Sequence, residues 1–325
     1  MRKFIYITLL FAICAAPAHA QFGQLIKRGK QAKDVADASK GWTSEQEIAI
    51  GEASAAKLVA IFPLYDNPDM QHYVSTVGQA LATHTSRPME YKFGILNTGA
   101  RTAFGMPGGY VFITAGALNS MKNEAELAGV LAHEIAHVDN QHLEKEIRAK
   151  KQTGVGVGIV AGEAFDHLGS GVPYGGLLQK LAEHVVTQML TQPYSRDKED
   201  EADRKGTEIA AATGYDANGL KNFLTTLKEI SDKNPDAQKQ ANGLWGSTHP
   251  SFADRITALG PIAANFPGGA TNDDRFKKEA TFHPASNEAV VHEAPVQKPA
   301  TSTPATPASS AKTAKSKAKT VPKSK

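Results

Sequence analysis

Two histidines four residues apart, with a glutamate directly after the first, are the residues in this chain best suited to chemistry: positions 133–137 read His-Glu-Ile-Ala-His. Four residues advance a helix by about 400°, so His133 and His137 project from one face a turn apart and both imidazoles can reach one ion. Glu134 sits about 100° round from His133. That offset keeps it off the ion but beside a water the ion activates. Zinc lowers the pKa of such a water toward about 7, and a carboxylate there can take its proton as the water attacks a polarised peptide carbonyl. The plainer alternative is a pair of ordinary surface histidines.

A catalytic zinc takes a third protein ligand, and because the chain's one cysteine, Cys14, lies in an N-terminal apolar run expected to be removed on export, the choice is His, Glu or Asp. The extended motif with glycine and histidine at positions 140 and 143 is absent, since these are Asn140 and Leu143. His142 lies five residues after His137, about 140° off the ligand face of a continuing helix, and reads as a surface histidine. The acidic run Tyr194-Ser195-Arg196-Asp197-Lys198-Glu199-Asp200-Glu201-Ala202-Asp203 is the stronger source. Glu199 and Asp203 are four apart and share a face, so one can ligate while the other accepts an imidazole N–H. Glu201 points away from both. Without the histidines the run would read as a solvated charged face. Two imidazoles and a carboxylate suit zinc best among divalent ions, and one zinc per chain is expected.

The elements that must carry these residues are legible from periodicity. Apolar positions from Thr43 to Ile61 recur at helical spacing after a cap at Thr43 or Ser44, with Glu47 completing a capping box. Pro68 to Ala82 forms a second helix with Met70, Tyr73, Val74, Val77 and Leu81 on one face. Tyr91–Leu96 and Gly109–Thr114 read as short strands, the second entered through the turn Met106-Pro107-Gly108-Gly109, and together give a small antiparallel sheet. The segment from Phe104 to Thr114 is expected to supply an edge along which an extended substrate lies. Asn123 and Glu126 form a capping box for the histidine-bearing helix, whose buried stripe is Leu127, Val130, Leu131 and Ile135. Helices follow over Leu177–Met189 and Lys198–Ala212, the latter ended by Gly214. The fold class expected is α+β, a mainly helical metallopeptidase-type domain with a small antiparallel sheet.

Arg2 and Lys3 precede an apolar run from Phe4 to Ala16 and then Ala18-His19-Ala20, the pattern of a cleaved export signal. Cys14 is the chain's one cysteine, and Ile13 before it is larger than a lipidation signal wants; cleavage near Ala20/Gln21 would remove it. The division expected is a signal over 1–20, one domain over 21–280 and a disordered tail over 281–325. From Ala294 onward the chain is dominated by Pro, Ala, Thr and Ser with seven lysines and no acid or aromatic residue. With Arg2, Lys3 and those lysines set aside, 27 basic residues face 33 acidic ones, an acidic body beside a basic tail. Such a tail can touch anionic envelope surfaces or simply solubilise. No transmembrane segment is expected after the signal, since a spanning helix needs about 20 consecutive apolar residues. No nucleic-acid partner and no internal repeat of 20–50 residues is expected.

Four motifs in order resemble the M48 family of gluzincin metallopeptidases, over roughly residues 43–258: Thr102-Ala103-Phe104-Gly105-Met106-Pro107-Gly108-Gly109, the 133–137 motif, Tyr194-Ser195-Arg196 leading to Glu199 and Asp203, and Thr248-His249-Pro250 leading to Arg255. The resemblance implies that His133, His137 and Glu199 bind zinc, that Glu134 is the base and that Asp203 supports. It is closest to the soluble periplasmic branch, and implies cleavage of misfolded or stalled envelope proteins. The alternative is a zinc-stabilised chaperone that cleaves rarely. Thr102 departs from the family's usual Asn. His249 carries three readings: a latch occupying the zinc's fourth position at rest, a stabiliser of the developing oxyanion, or a helix cap before Arg255.

Overall fold

Thr43 is the residue from which regular structure starts, as the cap of helix α1 (Ser44–Ile61). Its hydroxyl accepts from Gln46 N–H at 3.3 Å, while the Gln46 side chain accepts from Thr43 N–H at 3.0 Å. This reciprocal box closes on Gln46 and not on Glu47, which is buried and pairs with Arg87. Asn67 caps α2 (Pro68–Ala82), which buries Met70, Tyr73, Val74, Val77 and Leu81 as its periodicity dictates. The computed structural model describes residues 41–152, 175–233, 249 and 252–281. The expected signal, the Gly-rich stretch after Gln152 and the lysine-rich tail fall outside those residues.

Strands β1 (Lys92–Leu96), β2 (Ala103–Met106) and β3 (Tyr110–Thr114) form one sheet in the order β1-β3-β2. β1 and β3 are parallel, with Lys92 opposite Tyr110 and Leu96 opposite Thr114, whereas β2 is antiparallel to β3. The sheet is therefore mixed, which corrects the antiparallel pairing expected for Tyr91–Leu96 and Gly109–Thr114. The physical reason is β2 itself: the chain reverses once before it and again after it, so β3 recovers the direction of β1. The second reversal runs through Pro107–Gly109, where Gly108 and Gly109 adopt φ of 73° and 85°, angles that a side chain would strain. β3 is paired on both sides, so it offers no docking edge. Among the described residues, β2 keeps one edge unpaired by a strand.

Neighbouring residues of β3 alternate between two cores. Val111 and Ile113 join Tyr73, Leu127, Leu131 and Phe223, while Phe112 joins Phe104, Met106, Ile50 and Val185. A sheet covered on both faces reads as an unbroken apolar run, as here. After a short helix α3 (Ala115–Leu118) comes α4 (Glu124–Asp139), capped by Asn123, whose side chain accepts from Glu126 N–H at 3.0 Å. The Glu126 carboxylate reaches back one residue beyond the cap, to Lys122 N–H at 3.0 Å. Every residue of α4 is buried, making it the central helix of the domain and not a surface helix with one apolar stripe. It stops at Asp139. Gln141 then takes a left-handed φ of 54°, and a separate helix α5 (His142–Gln152) begins.

Among the described residues the remaining helices are α6 (Gly175–Thr191), α7 (Arg196–Ala212), α8 (Gly219–Lys233), α9 (Phe252–Ala264) and α10 (Asp273–Glu279). The mainly helical α+β class stands. Among the described residues, no helix is long and apolar enough to cross a membrane.

Candidate active site

Two glycines let the flanking backbones close on α4. A Cβ at Gly206 of α7 would lie 2.8 Å from His133 N and 2.9 Å from His133 Cα, and one at Gly105 of β2 would lie 2.4 Å from the Glu134 carbonyl oxygen. The α7 backbone thus lies directly against His133. Its buried residues Glu199, Ala202, Asp203, Gly206 and Thr207 follow helical spacing, so Asp203 and Glu199 face the histidines one and two turns before the contact.

His133 Nε2 lies 3.0 Å from His137 Nε2, and Glu199 places its two carboxylate oxygens 3.7 Å from the first and 3.5 Å from the second. His249 joins them, with Nδ1 2.8 and 2.9 Å from the Glu199 oxygens. One donor atom from each of these four buried residues lies within 4.8 Å of the others. Ligand atoms about 2.0–2.1 Å from a tetrahedral zinc stand roughly 3.3–3.4 Å from one another. The observed spacings bracket that edge length. The donor set is also chemically right, and the chain's own residues fit a zinc ion. Glu134 offers a further sign: it is 2% exposed, and its Oε1 has no hydrogen-bond partner among the described residues. The nearest cationic candidate, His249 Nε2, is 3.8 Å away. A buried lone pair left unmade is costly in a fold, and clusters at places where it is used.

The supporting groups are as specific. His133 turns Nδ1 to Asp203 Oδ1 at 3.0 Å, and Arg255 grips Asp203 through Nε at 2.9 Å and Nη2 at 2.6 Å. Arg255 Nη1 also stands 3.1 Å from Glu199 Oε2, an ion pair without hydrogen-bond alignment. Burial would push the Asp203 and Glu199 carboxyls up. The charge of Arg255 and of the neighbouring imidazoles outweighs it and holds both below the ordinary carboxylate range, Asp203 far below. Burial likewise opposes the Arg255 charge, yet the two carboxylates keep it firmly protonated. His137, fully enclosed and ringed by other imidazoles, is held well below its usual pKa and so is neutral.

The sequence-expected residues His133, Glu134, His137, Glu199, Asp203 and His249 therefore meet in one place. Three others were missed. His142 is a buried residue, not the surface histidine its spacing suggested, with Nδ1 2.9 Å from His137 Nδ1 and Nε2 3.3 Å from Glu201 Oε2. The 140° offset does not apply because α4 ends at Asp139, before His142. Burial lowers its pKa to about 4, against the opposing pull of Glu201. Tyr194 stacks on His137 with ring centroids 4.2 Å apart and planes 18° apart, and Arg255 is a site residue and not merely a landmark. The positive charge that two buried carboxylates require was the available signal for Arg255. Thr102, the family departure, is fully buried and hydrogen-bonds the Ala103 carbonyl at 3.3 Å, so its side chain faces the core.

Comparison with known proteins agrees with this geometry. Residues 68–263 match the family model for peptidase family M48. The chain is 31% identical over 192 residues to the beta-barrel assembly-enhancing protease of Yersinia pestis, covering 58% of this chain and 38% of that one. It is 28% identical over 188 residues to the beta-barrel assembly-enhancing protease of Escherichia coli K12, covering 56% and 37%. It is 30% identical over 188 residues to the mitochondrial metalloendopeptidase OMA1 of Schizosaccharomyces pombe, covering 58% and 51%. The matched region spans less than half the length of these bacterial relatives.

Proposed function

The chain belongs to peptidase family M48, and we propose that it is a zinc-dependent endopeptidase of the cell envelope that hydrolyses internal peptide bonds of misfolded or stalled proteins. The observation that carries this reading is the buried His133–His137–Glu199 donor set with an unpartnered Glu134 oxygen beside it. When bound, zinc would supply Lewis-acid polarisation of the scissile carbonyl and a lowered pKa for the attacking water. The chain's own residues do the rest. Glu134 accepts the water's proton at Oε1 and can return it to the leaving amine. Asp203 fixes the His133 ring through Nδ1, and Arg255 holds Asp203 and Glu199 in register. An extended substrate adds to the edge of β2 that no described strand pairs, a strand that Gly105 seats against the Glu134 backbone. Export, periplasmic residence and contact of the basic tail with anionic envelope material are part of the same proposal, supported by the N-terminal pattern, the tail's lysines and the relatives' names.

The test is digestion of casein or another unfolded protein by the native chain, by the chelated chain and by Glu134→Gln. Cleavage that survives chelation would overturn the reading. His249 stands against Glu199 among the donors, which favours the latch over the helix-cap role. His249→Ala is then expected to raise basal cleavage. A folded, zinc-loaded variant slowed about a hundredfold would instead make His249 the oxyanion stabiliser.

A further inference from the structure

His137 has two ring nitrogens with different tasks. Nε2 faces the donor cluster, 3.0 Å from His133 Nε2 and 3.5 Å from Glu199 Oε1, whereas Nδ1 faces away from it, 2.9 Å from His142 Nδ1. Two imidazole nitrogens at that distance share one hydrogen, one donating and one accepting. Beyond His142 stands Glu201, whose carboxylate can only accept.

We propose that His142 and Glu201 are positioning residues that fix which nitrogen His137 presents to the metal. The inference rests on the zinc reading above. The hydrogen positions are set from Glu201 inward. The carboxylate at 3.3 Å requires the hydrogen of His142 on Nε2, so His142 Nδ1 carries a lone pair. That lone pair requires the hydrogen of His137 on Nδ1, which leaves Nε2 bare and aimed at the cluster. The reverse arrangement sets a lone pair against a carboxylate at one end and a hydrogen among the metal donors at the other. Both ends reject it. His133 obtains the same service directly from Asp203 at 3.0 Å. His137 obtains it through a second ring, because α4 ends at Asp139 and the left-handed Gln141 starts a new helix whose first residue turns back on the ligand. Tyr194, stacked on His137, holds the ring plane but has no bearing on where the hydrogen sits. The two ligands also differ in their outermost anchor: the Asp203 side chain is 2% exposed and that of Glu201 is 45% exposed.

The experiment measures zinc stoichiometry of the purified full chain, then zinc affinity by competition with a coloured chelator. A parent protein that holds no zinc would sink the zinc reading itself, an outcome separate from those that follow. His142→Phe keeps a ring of similar size without nitrogens and is expected to weaken zinc binding about 10–100-fold. His142→Gln, which restores an acceptor for the His137 N–H, is expected to recover most of that loss. Glu201→Ala alters a half-exposed side chain, leaves the fold intact and is expected to weaken zinc a few-fold in the native background and not at all in His142→Phe. If His142→Phe does not fold, Glu201→Ala alone decides. The proposal is overturned if His142→Phe binds zinc as tightly as the parent, if Gln rescues nothing, if Glu201→Ala leaves affinity unchanged, or if its effect persists undiminished in the His142→Phe background.

Discussion

Of the three buried glutamates on helix α4, two that stand ten residues apart live in opposite circumstances. Glu124, fully buried at the first position, is saturated: Tyr73 and Tyr215 each donate a hydroxyl at 2.8 Å, Asn272 an amide N–H at 3.1 Å, and Arg275 its Nε at 2.6 Å along with Nη2. The helix N-terminus adds a favourable field. Glu134 is almost as enclosed, yet among the described residues one of its oxygens has no hydrogen-bond partner. The same residue type on the same helix is spent on cohesion at one end and held in reserve at the other. A saturated carboxylate ties four segments together, whereas an unsaturated one is free to accept a proton.

The sharpest way to break this contrast is Glu134→Gln, which is expected to lower turnover about 10²–10⁴-fold while leaving zinc content and thermal unfolding close to native. Turnover near the native level in the zinc-loaded variant would remove Glu134 from the base role. Glu124→Ala should show the opposite profile. Loss of about 3–5 kcal/mol, read as a denaturant midpoint, is expected, with activity per folded molecule retained. A stable but inactive Glu124→Ala protein would mean the two ends are not separate in function. The smallest effect concerns pH. Burial alone would raise the Glu124 carboxyl, but the bonds from Arg275, Tyr215 and Tyr73 outweigh it and hold it below the ordinary range. Its contribution is therefore complete above the unfolded value of about 4.3 and is lost as pH falls from there through the lower folded value. The stability gap between the native chain and Glu124→Gln is expected to be flat near neutrality and to narrow on acidification below that point. A gap that widened would reverse the sign of the argument.

Much of the site was legible because it obeys helical spacing: the 133–137 pair, and Glu199 with Asp203, each lie four apart on one face. The bounds of α2 follow from Pro68 and its apolar stripe, and the resemblance to a family singled out Glu199 as ligand. The failures have a common form, since each depends on where one element stops and another starts. β2 is four residues with no alternation of its own, so it hid inside a turn, and its omission inverted the direction of β3 relative to β1. His142 was placed by extending a helix through Gln141, where the backbone is left-handed. Arg255 lies 52 residues from Asp203, and no local pattern joins them.

That separation also sets an order of events. Asp203 and Glu199 sit together in the interior, and the guanidinium that reconciles them arrives only with α9. A growing chain that has not yet reached Arg255 holds two buried acids with no permanent cation between them, an arrangement the interior penalises. The donor geometry is consequently a late product of assembly. A newly made molecule has nearly its whole domain in place before the donor set around Glu199 and Asp203 is complete.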